Sequence, residues 1–104
     1  MSSELSVEEM SVSDALKQRI AARRERIDDA LVGLSNQLHA DPELGWQEHR
    51  SSAAVAALLA GHGFQVEQPY LGLDTAFRAV YDPGSAAKRR FTVGFLAEYD
   101  ALPG

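Results

Sequence analysis

Residues 91–100 read Phe91-Thr92-Val93-Gly94-Phe95-Leu96-Ala97-Glu98-Tyr99-Asp100. Phe91, Val93, Phe95, Ala97 and Tyr99 share one parity, and Thr92, Gly94 and Leu96 hold the other, so the middle of the stretch is apolar or small on both sides. Successive side chains of a strand point to opposite faces, and a strand that is apolar on both faces is one that a sheet covers twice. The pattern predicts a central strand of an α/β sheet. Glu98 and Asp100 follow Leu96 at period two, which puts their Cβ atoms roughly 6 to 7 Å apart at the C-terminal end of that strand. Open α/β sheets place ligands at that end. The competing reading is that the two acids only mark the strand's exit into solvent, with Ala101 to Gly104 as the loop beyond.

Working back from this stretch, two further strands are expected. Phe64 to Gln68 alternates, with Phe64 and Val66 on one side and Gln65 and Glu67 on the other, and Pro69 closes it. Thr75 to Tyr81 sets Phe77, Ala79 and Tyr81 against Arg78, and Asp82-Pro83-Gly84 is a turn signal, so it reads as an edge strand. Ahead of the strands lie two helices. Ser13 offers an N-cap with Asp14 just inside it, and Leu16, Ile20, Ile27, Leu31, Leu34 and Leu38 recur at the three-and-four spacing of one helix face. The opposite face, with Arg23, Arg24, Arg26, Asp28 and Asp29, is a solvated surface. This helix should stop near Asp41-Pro42, because the residue before a proline avoids the helical region. The second helix is expected from Gln47 to Ala60, with Glu48 in its positive first turn and Gly61 as its C-terminal cap. Its five alanines between Ala53 and Ala60 suit close packing on a sheet.

The chain has 104 residues, 45% of them hydrophobic, which suits one small domain. Ten basic against fifteen acidic residues leave a net charge of -5, which argues against nucleic acid as a partner. An RNA-binding module built on Lys88, Arg89 and Arg90 lacks the aromatic platforms that single-strand readers use. The longest apolar run, Ala53 to Ala60, is too short for a membrane span. Glu4, Glu8 and Glu9 stand where a signal peptide needs positive charge, and cysteine is absent, so the expected location is cytoplasmic. Residues 1–12 read as a disordered lead-in. His39, His49 and His62 show no His-x-x-x-His or His-x-His pairing, and His62, between two glycines at a helix end, suits a terminal capping role. Gly61-His62-Gly63 precedes a strand rather than following one, so it is no dinucleotide fingerprint.

Four segments in register carry a resemblance: LHADPELGWQEHRSS (residues 38–52), GFQVE (63–67), TAFRAVY (75–81) and GFLAEYDALPG (94–104). Together they resemble the opening of the co-catalytic zinc amidohydrolases and peptidases of the M-twenty type, the superfamily of aminoacylase, aminobenzoyl-glutamate hydrolase and the indole-acetyl-amino-acid hydrolases. The resemblance implies a parent enzyme that is a homo-oligomer and hydrolyses an amide or peptide bond of an N-acyl amino acid or small dipeptide with a water activated by zinc or another divalent metal. In the wider superfamily the strand ends His-x-Asp, the histidine binding metal and the aspartate holding a ligand histidine in orientation. Asp100 matches that aspartate, and Glu98 stands at the histidine position, a departure that removes a standard ligand. The family's other metal ligands and its general base have no counterpart here, and two carboxylates do not make a zinc site.

The expectation is therefore an α/β fragment. Residues 13–104 are expected to be the N-terminal, incomplete portion of the catalytic domain: two helices and the first three strands of a mixed, mainly parallel sheet. By family analogy the first two strands pair antiparallel and the third lies parallel to the first. Alone, the chain is expected to bind no metal, to be inactive and to self-associate through the open edge of the third strand. The alternative is a self-contained, non-catalytic α/β interaction module.

Overall fold

The computed structural model describes residues 11–84 and 91–104. Most of the expected disordered lead-in, and the Lys88-Arg89-Arg90 run, lie outside the described residues. The chain divides into two compact units, Met1–Ser35 and Asn36–Gly104.

Helix α1 spans Val12–Ala40. It starts two residues earlier than Ser13 would allow as a cap, because Ser11 is the capping residue: its hydroxyl accepts a hydrogen bond from the Asp14 N–H at 3.0 Å. Asp14 then occupies the third helical position, where the partial positive charge of the helix start favours a carboxylate. The helix stops directly before Asp41-Pro42 as its sequence predicts, and the Asp41 N–H closes the last turn on the Gln37 carbonyl at 3.2 Å. On the apolar face Ile27, Leu34 and Leu38 are half-buried, whereas Leu16, Ile20 and Leu31 remain exposed. No residue of α1 is buried. Its helicity therefore rests on local hydrogen bonds, capping and propensity more than on packing.

Helix α2 spans His49–Gly61 and packs on both strands of a small sheet. Its C-terminus corrects the assignment of Gly61 as the cap: Gly61 is the last helical residue and His62 is the C-cap. Gly63 follows at φ +93°, a left-handed conformation that a side chain would strain. The Gly63 N–H bonds the Ala60 carbonyl at 3.2 Å and the Phe64 N–H bonds the Leu59 carbonyl at 3.1 Å. That paired closure is the Schellman arrangement, which satisfies carbonyls left over at the helix end.

The sheet has two strands, β1 (Gln65–Glu67) and β2 (Arg78–Val80), paired antiparallel in the register Gln65 to Val80, Val66 to Ala79 and Glu67 to Arg78. The expected antiparallel pairing and alternation are present: Val66 and Ala79 are half-buried while their neighbours along each strand are exposed. Phe64 and Tyr81 extend the pair as a tilted ring contact with centroids 5.5 Å apart.

The third strand and the mainly parallel sheet are not found. Residues 91–100 form no ladder. Phe91, Val93, Phe95 and Leu96 are all well exposed, Phe95 at 91%. A strand exists only through a neighbour's N–H and C=O groups, and β1 offers none to this segment. Directly after the segment Ala101 makes an isolated parallel bridge with Leu44, in the loop before α2. Among the described residues the only buried apolar side chain is Ala56, and the other buried residues are Glu43, Ser51, Ser52 and Thr75. The centre of this unit is thus a polar cluster, not an aliphatic core.

Candidate functional site

The start of α2 is built around a carboxylate that arrives from outside the helix. The first N–H groups of any helix lack partners within it, and Glu48, at the N-cap position, makes no capping bond of its own. Glu43 takes the role. Its Oε2 accepts from the Arg50 N–H at 3.1 Å and its Oε1 from the Ser51 N–H at 2.6 Å. The Arg50 guanidinium donates to both carboxylate oxygens of Asp41, at 2.6 and 2.8 Å, and reaches within 3.5 Å of Glu43. Hydrogen bonding from Ser51, with lesser help from Arg50, outweighs desolvation and holds the Glu43 carboxyl below its ordinary value of 4.5. Asp41 is likewise held below 3.8, first by its hydrogen bond from Arg50, and the Arg50 guanidinium is pushed up by Asp41 in turn.

Freed from capping, Glu48 turns inward, where its carboxylate accepts a hydrogen bond from the Thr75 hydroxyl at 3.1 Å. Ser52, fully buried, donates to the His49 carbonyl at 3.2 Å and accepts from the Gln68 amide at 3.0 Å. The Tyr99 hydroxyl donates to the Thr75 carbonyl. Its ring lies parallel to that of Phe77, with centroids 6.2 Å apart and an 8° interplanar angle. Burial first, and then the nearby Glu48 charge, push the Tyr99 phenol above 10. Every buried side-chain polar atom among the described residues has a hydrogen-bond partner.

Tyr99 is the peg that brings the two sequence-predicted residues to this cluster. Glu98 and Asp100, on either side of it, both line one cleft with Gly45, Trp46, Glu48 and Thr75. Both acids are exposed. Asp100 faces the loop before α2, since a Cβ added to Gly45 would lie 3.9 Å from its Oδ2. Trp46, in the left-handed region at φ 73° and 73% exposed, forms an open aromatic wall. The cleft therefore gathers carboxylates and aromatic faces at the end of residues 91–100, although no strand delivers them. Glu43, Glu48 and Thr75 were not singled out as site residues from the sequence. The Pro-Glu-Leu-Gly turn carried the signal for Glu43, because an acid a short loop ahead of a helix with no good N-cap is placed to reach its first turn.

The family resemblance implies a divalent metal. A zinc centre takes three or four converging donors. Among the described residues no group of three or more His, Cys, Asp or Glu side chains is placed to hold an ion. The donors present here do not by themselves fit a metal centre. Among the described residues no helix is long and apolar enough to cross a membrane.

No protein-family model matches the chain. No solved structure matches it. Curated proteins do. The chain is 37% identical over 100 residues to the Xaa-Arg dipeptidase of Mus musculus, an alignment covering 86% of this chain and 22% of that protein. It is 36% identical over 104 residues to the Xaa-Arg dipeptidase of Homo sapiens, covering 88% and 23%. It is 33% identical over 79 residues to thermostable carboxypeptidase 2 of Saccharolobus solfataricus, covering 76% and 19%. The chain thus spans about a fifth of the length of the curated relatives it matches. All of these relatives are peptidases by name, and with the four segments in register they show that the chain belongs to the M-twenty type metallopeptidases.

Proposed function

We propose that this chain is the N-terminal part of the catalytic α/β domain of a hydrolase, dependent on zinc or another divalent metal, that cleaves the amide or peptide bond of a small dipeptide or N-acyl amino acid. The observation that carries the reading is the cleft at the end of residues 91–100, where Asp100 and Glu98 meet the loop ahead of α2. The relatives named Xaa-Arg dipeptidase favour a dipeptide over an acylated amino acid. Two exposed carboxylates are not a metal centre, so the metal donors and the general base belong to the remainder of the parent, and this chain alone is inactive. Within the parent Asp100 is an orienting carboxylate, and Glu98, where the family pattern has a histidine, contributes less.

In the full-length parent, Asp100→Asn should lower kcat/KM by about 10-fold to 100-fold with the fold intact, because a carboxylate that orients a reacting group acts through geometry and basicity. Glu98→Gln should cost less. Equal and negligible effects of both substitutions would return the pair to a polar exit from the segment. Calorimetric titration of the 104-residue chain with zinc at neutral pH should show no tight site, since hard, exposed oxygen ligands bind divalent ions weakly and without selectivity. A stoichiometric site of submicromolar affinity would overturn the division of labour proposed here.

A further inference from the structure

We infer that Glu43 is a positioning residue: its side chain fixes the start of α2 while its backbone holds the residue after Asp100, so that one residue sets the place of the cleft carboxylate. The side-chain half of this clamp is the buried carboxylate, only 6% exposed, that accepts the Arg50 and Ser51 N–H groups. The backbone half is the Glu43 carbonyl, which accepts a hydrogen bond from the Ala101 N–H at 2.7 Å. The parallel bridge between Leu44 and Ala101, and the approach of Gly45 to the Asp100 carboxylate, show the same loop running alongside residues 100–101. Residues 91–100 form no ladder that would fix Asp100 from the other side. Two hydrogen bonds that hold this segment near the cleft, from Tyr99 to Thr75 and from Ala101 to Glu43, flank Asp100.

A charged hydrogen-bond acceptor shared by two N–H groups is worth more than a neutral one, and its loss leaves those groups and the loop backbone free to move together. The clamp thus transmits a change at the Glu43 side chain to Asp100 without contact between the two side chains. Its catalytic consequence rests on the role proposed above for Asp100, but its structural content does not.

The test has two arms. Amide hydrogen exchange, read residue by residue by NMR on the isotope-labelled 104-residue chain, compares the parent sequence with Glu43→Gln and Glu43→Ala. Protection at Arg50, Ser51 and Ala101 should fall together, by about 10-fold in Glu43→Ala and less in Glu43→Gln, which keeps one acceptor oxygen. Amides in the interior of α2, from Val55 to Leu59, should keep theirs. Loss at Arg50 and Ser51 with Ala101 unchanged would overturn the proposal, leaving Glu43 a helix cap and nothing more. In the full-length parent, Glu43→Gln should lower kcat with KM little changed, and should cost no further activity on an Asp100→Asn background. Additive losses would mean that Glu43 acts by another route, and would also overturn it. A silent Asp100→Asn beside a responsive Ala101 amide would remove the proposed function and leave the clamp standing.

Discussion

At the residue scale, the carboxylates at the start of α2 make stability depend on pH. Glu43 and Asp41 have folded pKa values depressed below 4.5 and 3.8 by their hydrogen bonds to Ser51 and Arg50. A depressed acid stabilises the folded state above its unfolded pKa and loses that contribution as the pH falls through the folded one. Denaturant midpoints should therefore stay level from neutral pH down to about pH 5 and decline below it. Glu43→Gln should flatten the decline, and an unchanged slope in that variant would show that the carboxylate is not protonated in the transition. Tyr99 shifts the other way. Its raised pKa means that its contribution is present below 10 and is lost as the pH rises through the higher folded value. Phenolate absorbance should report one of the chain's tyrosines titrating late. Tyr99→Phe should cost about 1 kcal/mol by leaving the Thr75 carbonyl unpaired, and a neutral result would mean that ring stacking on Phe77 keeps Tyr99 in place without the hydroxyl.

At the element scale, the C-terminus of α2 distinguishes two glycines that look alike in sequence. Gly63 has φ +93°, and a Cβ there would sit 3.6 Å from the Tyr81 ring, an ordinary contact, so Gly63→Ala is penalised by backbone strain and not by crowding. A loss of about 1 kcal/mol is expected. Gly61 ends the helix with nothing within 4 Å of its would-be Cβ. Gly61→Ala should be neutral or should stabilise by about 0.5 kcal/mol through helix propensity. Thermal unfolding of the two variants side by side checks the assignment, and the reverse order of effects would restore Gly61 as the cap.

At the scale of the whole molecule, apolar residues are plentiful but are not inside. Among the described residues only Ala56 is a buried apolar side chain, while Phe91, Val93, Phe95 and Leu96 expose large surfaces in one segment. An exposed apolar run of this kind seeks cover, so sedimentation should show concentration-dependent association. Because Phe95 and Leu96 are solvated and not packed, Phe95→Lys or Leu96→Glu should weaken association and leave the far-UV signature of α2 unchanged. This differs from the expectation for a central strand, where a charge at Val93 or Phe95 would improve solubility only at the expense of the fold. A chain that is monomeric at every concentration would show that this run has cover within the molecule.

What depends on near neighbours along the chain is legible in the sequence. An α-helix bonds each residue to one four away, so Pro42 marks the end of α1 and the glycines around His62 mark the end of α2 before any packing is considered. The alternation of Phe64 to Glu67 and of Phe77 to Tyr81 is local in the same way, and the four family segments are read letter by letter. The cap on α2 was harder to read, because Glu43 reaches the helix across a loop whose path is set by the turn and by Arg50. Tertiary structure alone decided the fate of residues 91–100. Their parity is that of a central strand, but a strand's hydrogen bonds belong to its neighbour, and the neighbour this segment finds is the Glu43-Leu44 loop. That contact still brings Glu98 and Asp100 to one cleft, because Tyr99 between them has a specific partner in Thr75, which no periodicity along the segment itself could reveal.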